Sequence, residues 1–174
     1  MHHGNRNNFC QTKLELPYPE IRVAGCNPDY ALEILSNVGS CNSEMSAVSL
    51  YFYNSVILDQ SYRSFAHCFI DISIVEMHHL DMFAKVAFLL GANPRLWTME
   101  RNQMVYWTPA CNNYPHEIKE VICNSIQGEE EAIRKYRKQA QTIRDPYIVA
   151  LLERIILDEE HHIEIFHYML DQVT

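Results

Sequence analysis

Two stretches decide the fold: Glu76-Met77-His78-His79 (EMHH, 76–79) and Glu159-Glu160-His161-His162 (EEHH, 159–162). Both read Glu-x-x-His, and both lie inside helical apolar patterns. An α-helix turns about 100° per residue, so positions i, i+3, i+4 and i+7 share one stripe. Across about 61–90 that stripe is Phe65, Phe69, Ile72, Phe83, Val86 and Leu90, with Glu76 and His79 in its middle. Across about 146–173 it is Ile148, Leu152, Ile155, Phe166 and Leu170, with Glu159 and His162 in its middle.

Two more helical patterns each carry one inward acid. Over about 115–144, Ile118, Ile122, Ile126, Ile133, Tyr136, Ala140 and Ile143 share a stripe with Glu129, while Glu130 and Glu131 leave it and read as solvated. The first pattern starts at Pro28, with Asn27 or Asp29 as cap, and runs to about Leu58, where Gly39 can interrupt or bend it. There Val48, Tyr51 and Leu58 share a stripe with Glu44, although Asn37 and Ser55 make it less apolar. Burying one isolated carboxylate costs several kcal/mol. Four in one core repel one another unless cations neutralise them. Two divalent ions at +4 balance four carboxylates at −4, and two neutral imidazoles complete a carboxylate-bridged di-metal site. Glu44 precedes Glu76 by 32 residues and Glu129 precedes Glu159 by 30, and each of the leading glutamates has a tyrosine seven residues on, Tyr51 and Tyr136. The two helical hairpins therefore repeat one another. His78 and His161 fall off the stripes and read as surface or interface, and Glu164 and His167 as exposed. Cys41, one turn before Glu44, reads as a buried inert thiol.

The rest of the chain fits this arrangement. A length of 174 residues suits one domain, and 48% apolar residues exclude wholesale disorder. Only 5 glycines and 7 prolines argue against a turn-rich all-β fold. A net charge of −8 gives no support for nucleic acid or an anionic membrane as partner. No apolar run reaches the ~18 residues of a spanning helix, and MHHGNRNNFC lacks a signal-peptide core, so a cytoplasmic address is expected. The cysteines at 10, 26, 41, 68, 111 and 123 form no C-x-x-C and are expected as free, mostly buried thiols in a reducing compartment. Residues 1–28 read as an irregular arm and 29–174 as an all-α four-helix bundle. The first and last helix links are short, but residues 92–116 form a crossover long enough to travel the bundle, which is the ferritin-like connectivity.

The chain resembles the ferritin-like superfamily of bacterioferritins, rubrerythrins and manganese catalases. The resemblance rests on SEMSAVSLYFYNSVIL (43–58), SIVEMHHLDMF (73–83), VICNSIQGEEEAI (121–133) and ILDEEHHIEIF (156–166). It implies Glu44, Glu76, His79, Glu129, Glu159 and His162 as ligands of two metal ions, iron or alternatively manganese. Glu76 and Glu159 would be shared between the metals, and Glu44 and Glu129 terminal. Tyr51 matches a tyrosine that often lies near such sites. The implied activity is a di-iron oxidoreductase acting on O₂ or H₂O₂, with Tyr51 or Tyr136 giving a proton or hydrogen bond to bound peroxide. An external electron donor such as a rubredoxin-type protein would be required, since no such module is seen. The alternatives are a manganese catalase-like dismutase and, in another class, iron storage or a structural coat-type bundle. A fifth helix of the kind ferritin cages use is not expected from the pattern, which weakens the storage alternative. Met77 stands where bacterioferritins place a haem-ligating methionine, but reads as core or interface, and haem is not expected. Met77, His78, His161 and the aromatic crossover suggest a homodimer.

Overall fold

The computed structural model describes residues 10–173, so residues 1–9 of the expected arm lie outside the described residues. The elements are α1 (Pro28–Gly39), α2 (Glu44–Leu58), α3 (Arg63–Leu89), β1 (Trp97–Glu100), β2 (Gln103–Tyr106), a 3₁₀ turn (Pro109–Cys111), α4 (Ile118–Thr142) and α5 (Pro146–Val173). The helices form two antiparallel hairpins, α2 with α3 and α4 with α5, and α1 lies along the C-terminal half of α3. This is the all-α ferritin-like bundle with its long crossover.

The local chemistry sets the helix ends. Asn27 Oδ1 accepts from the Asp29 and Tyr30 amides, with Pro28 at the first helical position. At the end of α3, Gly91 adopts φ +106°, Ala92 N–H bonds Ala87 O and Gly91 N–H bonds Phe88 O, the paired bonds of a Schellman cap.

The single helix expected over residues 28–58 is instead two, parted at residues 40–43. Two features hold the break. A Cβ at Gly39 would overlap the Leu96–Trp97 backbone, so only glycine lets β1 pass this close. Lys135 Nζ donates to Ser36 O at 2.9 Å, which also keeps its bond from the Ser40 N–H, and to Asn42 O at 2.6 Å, a carbonyl that an uninterrupted helix would have bonded through the Ser46 N–H. The crossover is also more ordered than an irregular link. Trp97–Tyr106 forms a two-stranded hairpin whose turn residues, Arg101 and Asn102, are both left-handed.

The apolar core has two layers. One joins Ile34, Leu35, Phe83, Val86, Ile148 and Leu152, and the other joins Leu50, Phe69, Ile72, Ile122 and Phe166. The acids and histidines fill the level between them.

The expectation of six free, mostly buried thiols is overturned. Cys10 pairs with Cys68 and Cys41 with Cys111, while Cys26 and Cys123 are free and exposed. Cys41 is therefore not a buried inert thiol; it is exposed and paired. Sequence spacing failed here because both bonds join segments far apart in the chain, 58 and 70 residues.

Candidate metal centre

All six sequence-predicted glutamates and histidines converge. Glu76, His79, Glu159 and His162 have no exposure, and Glu44 and Glu129 each have 2%. They form two overlapping groups: Glu44, Glu76, His79 and Glu159, and Glu76, Glu129, Glu159 and His162. Within each group one ligand atom per residue lies within 4.8 Å of all the others. Glu76 and Glu159 belong to both groups. Each Glu-x-x-His places acid and imidazole on successive turns of one inner face, so α3 and α5 supply both shared carboxylates and both histidines.

The two imidazoles are oriented alike. His79 Nδ1 lies 3.1 Å from Glu76 and 3.3 Å from Glu159; His162 Nδ1 lies 2.8 Å from Glu76 and 3.1 Å from Glu159. Each Nδ1 thus faces the cluster and each Nε2 faces away. His79 Nε2 meets Asp158 Oδ2 at 3.2 Å, and His162 Nε2 meets the Thr12 carbonyl at 3.1 Å. An acceptor on Nε2 fixes the proton there and leaves Nδ1 free to bind a metal.

Tyr51 and Tyr136 point inward but bond to carboxylates of the opposite hairpin. Tyr51 donates to Glu129 at 2.6 Å, and Tyr136 donates to Glu44. Burial, then the charge of Glu129 or Glu44 respectively, pushes both phenols well above their ordinary range.

Electrostatics show the cluster under strain without cations. Burial, then the charges of Glu76 and Glu159, raises Glu129 to about 8. Burial, then Glu159 and Glu76, raises Glu44 well above the carboxylate range. Burial alone would lower both histidines, but the surrounding glutamates hold them well above the ordinary imidazole value. Burial would raise Glu76 too, yet the two histidines hold it low. Glu76 Oε1 and Glu159 Oε1 are buried without a hydrogen bond of good geometry, as expected of oxygens meant for a cation. The donor set of four carboxylates and two imidazoles suits a di-metal site.

Several contributors were not read from the sequence. Asp158 is buried, and Arg154 Nη1 pairs with it at 2.8 Å. Tyr18 donates to Asp158 at 2.6 Å, and Arg154 also donates to Leu16 O. Burial raises Asp158, but bonds from His79, Tyr18 and Arg154 prevail and bring it to about 2. The arm is thus no bystander: residues 10–27 carry no helix or strand, yet Thr12 and Tyr18 reach both histidine sectors. The Arg154–Asp158 spacing of four was the one available signal. His161, read as surface, is only partly exposed and meets Gln11 O at 2.6 Å. Met77 is 53% exposed, so it is not core.

A cavity of about 360 Å³ opens on the Glu44–Glu129 side. Its lining includes Glu44, Glu129, Tyr51, Tyr136, Asn112 and Gln127.

A family model for rubrerythrin matches residues 33–170, spanning every proposed ligand. The chain belongs to the rubrerythrin family. Among solved structures, it is similar to the manganese catalase KatB from Anabaena, with a TM-score of 0.81 and 20% identity over 92% of this chain and 80% of that one. It is also similar to the Rhodobacter capsulatus bacterioferritin, with a TM-score of 0.69 and 20% identity over 84% and 87% of the two chains. The Mycobacterium tuberculosis bacterioferritin gives 0.68 and 22% identity over 85% and 87%. These likenesses establish the ferritin-like fold. No curated protein matches the chain. Among the described residues, no helix is long and apolar enough to cross a membrane.

Proposed function

We propose that this rubrerythrin-family chain is a di-iron oxidoreductase acting on O₂ or H₂O₂. The observation that carries the reading is the pair of overlapping four-residue groups sharing Glu76 and Glu159. Glu44, His79 and the shared glutamates would hold one ion; Glu129, His162 and the same two glutamates would hold the other. Two adjacent redox ions supply the electron change and the Lewis acidity that O–O chemistry needs. The chain's own groups do the rest. Asp158 and the Thr12 carbonyl fix the imidazole protons on Nε2. Tyr51 and Tyr136 hold the terminal glutamates in place and are positioned to pass a proton into the cavity. The apolar layers above and below keep bulk water from the cluster.

The reaction partner is O₂ or H₂O₂, reached through the cavity beside Glu44 and Glu129. An external donor, such as a rubredoxin-type protein, would supply electrons for peroxide reduction. A homodimer is proposed on the exposed Ile74, Met77 and Phe88 of α3. The cytoplasmic address expected from the sequence loses one support, because four cysteines are paired.

The test is anaerobic Fe(II) loading followed by peroxide. The reading expects a change in the visible spectrum together with loss of peroxide; the absence of both refutes it. A second reading, manganese catalase-like dismutation, is favoured by the extensive fold match to KatB. O₂ evolution by the Mn(II)-loaded protein without any reductant selects it.

A further inference from the structure

The two disulfides occupy unlike places. Cys68 is fully buried in a core layer, and its bond to Cys10 anchors the arm. Cys41 is exposed, Cys111 is partly exposed, and both line the same cavity as Glu44, Glu129, Tyr51 and Tyr136. One disulfide is thus reachable from solvent and stands at the door of the candidate metal centre. Exposed disulfides are the labile and catalytic ones, whereas buried ones resist exchange.

The segments that carry Cys41 and Cys111 are also held without the sulfur bond. The Cys41 carbonyl accepts from Ser46 Oγ at 2.7 Å. The same Ser46 Oγ accepts from Trp107 Nε1 at 2.9 Å. Asn112, next to Cys111, donates to Ser46 O at 3.1 Å and to Ser49 Oγ at 2.8 Å. Both cysteines are therefore pinned to the first turns of α2, with Cα atoms 4.8 Å apart. A pair fixed in this way can open and close while its surroundings stay folded.

We propose that Cys41 and Cys111 are a redox-active pair that delivers electrons to the di-metal centre and is recharged by an external dithiol. The proposal rests on the peroxide-reducing reading of the site and names its reductant class. In the first step a dithiol, R(SH)₂, exchanges with the Cys41–Cys111 disulfide. It leaves as the cyclic disulfide, and both cysteines become thiols. In the second step the two thiols give up two electrons and two protons as their S–S bond re-forms. One H₂O₂ takes both electrons and both protons, its O–O bond breaks, and two waters leave. The sum is R(SH)₂ + H₂O₂ → R(S₂) + 2 H₂O.

The test reads the sulfur atoms directly. Iron-loaded protein is reduced with dithiothreitol, desalted without oxygen, mixed with one equivalent of H₂O₂ and alkylated; mass spectrometry then scores the pair. The expected result is one Cys41–Cys111 disulfide per peroxide consumed, forming at least tenfold faster than in metal-free protein. The double variant Cys41→Ser/Cys111→Ser is expected to retain its iron and lose at least tenfold in dithiol-supported peroxide turnover. Cys26→Ser/Cys123→Ser keeps that turnover. A pair that stays reduced while peroxide disappears overturns the proposal, as does equal oxidation rate without metal. Full dithiol-supported turnover in the double serine variant also overturns it. No peroxide loss in loaded wild-type protein overturns the underlying peroxide reading, and the proposal with it.

Discussion

Tyr51 and Glu129 stand 78 residues apart in the chain, yet a 2.6 Å hydrogen bond joins their side chains across the bundle. Tyr136 returns the same bond to Glu44, so each helical hairpin holds the other's unshared carboxylate. Removing a buried donor strands its acceptor, which costs about 1–3 kcal/mol. Tyr51→Phe is therefore expected to destabilise the metal-free bundle by about that amount, read by denaturant unfolding. An unchanged midpoint would mean that Glu129 does not depend on this phenol.

Metal loading should release protons. Burial and the neighbouring carboxylates raise Glu44 and Glu129, Glu129 to about 8, and the same carboxylates raise His79 and His162, so all four hold their protons more tightly than free side chains do when no metal is bound. A ligand must shed its proton to bind, so loading is expected to release as many as four protons, one from each of these residues. Affinity should fall as pH falls. Titration in weakly buffered solution measures the release, and loading with no proton released contradicts the assignment.

Chelation should hurt more at high pH than at low pH. Glu129, raised from 4.5 to about 8, favours the metal-free fold below pH 4.5, and that contribution is lost as pH rises through about 8. His79 and His162, raised from 6.5, act in the same direction. Bound ions replace the lost protons. The melting-temperature gap between loaded and chelated protein is expected to be wider at pH 8 than at pH 6. A gap that narrows over this range would contradict the charge account.

Much of the site was legible in the sequence because its chemistry conflicts with its position. Glu76, His79, Glu159 and His162 interrupt apolar stripes, and the helical period alone sends them inward. The repeated Glu–Tyr spacing located Glu44 and Glu129 in the same way, although it could not show that each tyrosine serves the opposite hairpin. What was not legible depends on segments without periodicity. Nothing in residues 10–27 signals that Thr12 and Tyr18 would reach the histidines. The α1–α2 break depends on β1 passing over Gly39, a tertiary fact. The pairing of Cys41 with Cys111 needs the crossover's path, which no local pattern encodes.

Asp158 offers a test confined to one imidazole. It bonds His79 Nε2 and leaves His162 to the Thr12 carbonyl. Loss of such an outer partner typically costs 10–100-fold in metal affinity. Asp158→Asn is expected to weaken one of two bound ions by about that factor and to spare the other, read by competitive chelation. Equal weakening of both, or of neither, would contradict the division of the site.

The central claim is that six buried side chains hold two ions. Elemental analysis after anaerobic Fe(II) or Mn(II) loading and desalting tests it most directly, with Glu76→Ala alongside. The account predicts two ions per wild-type chain and fewer than one in the variant, since Glu76 serves both positions. Wild-type protein retaining less than one ion, or a variant retaining two, would contradict it.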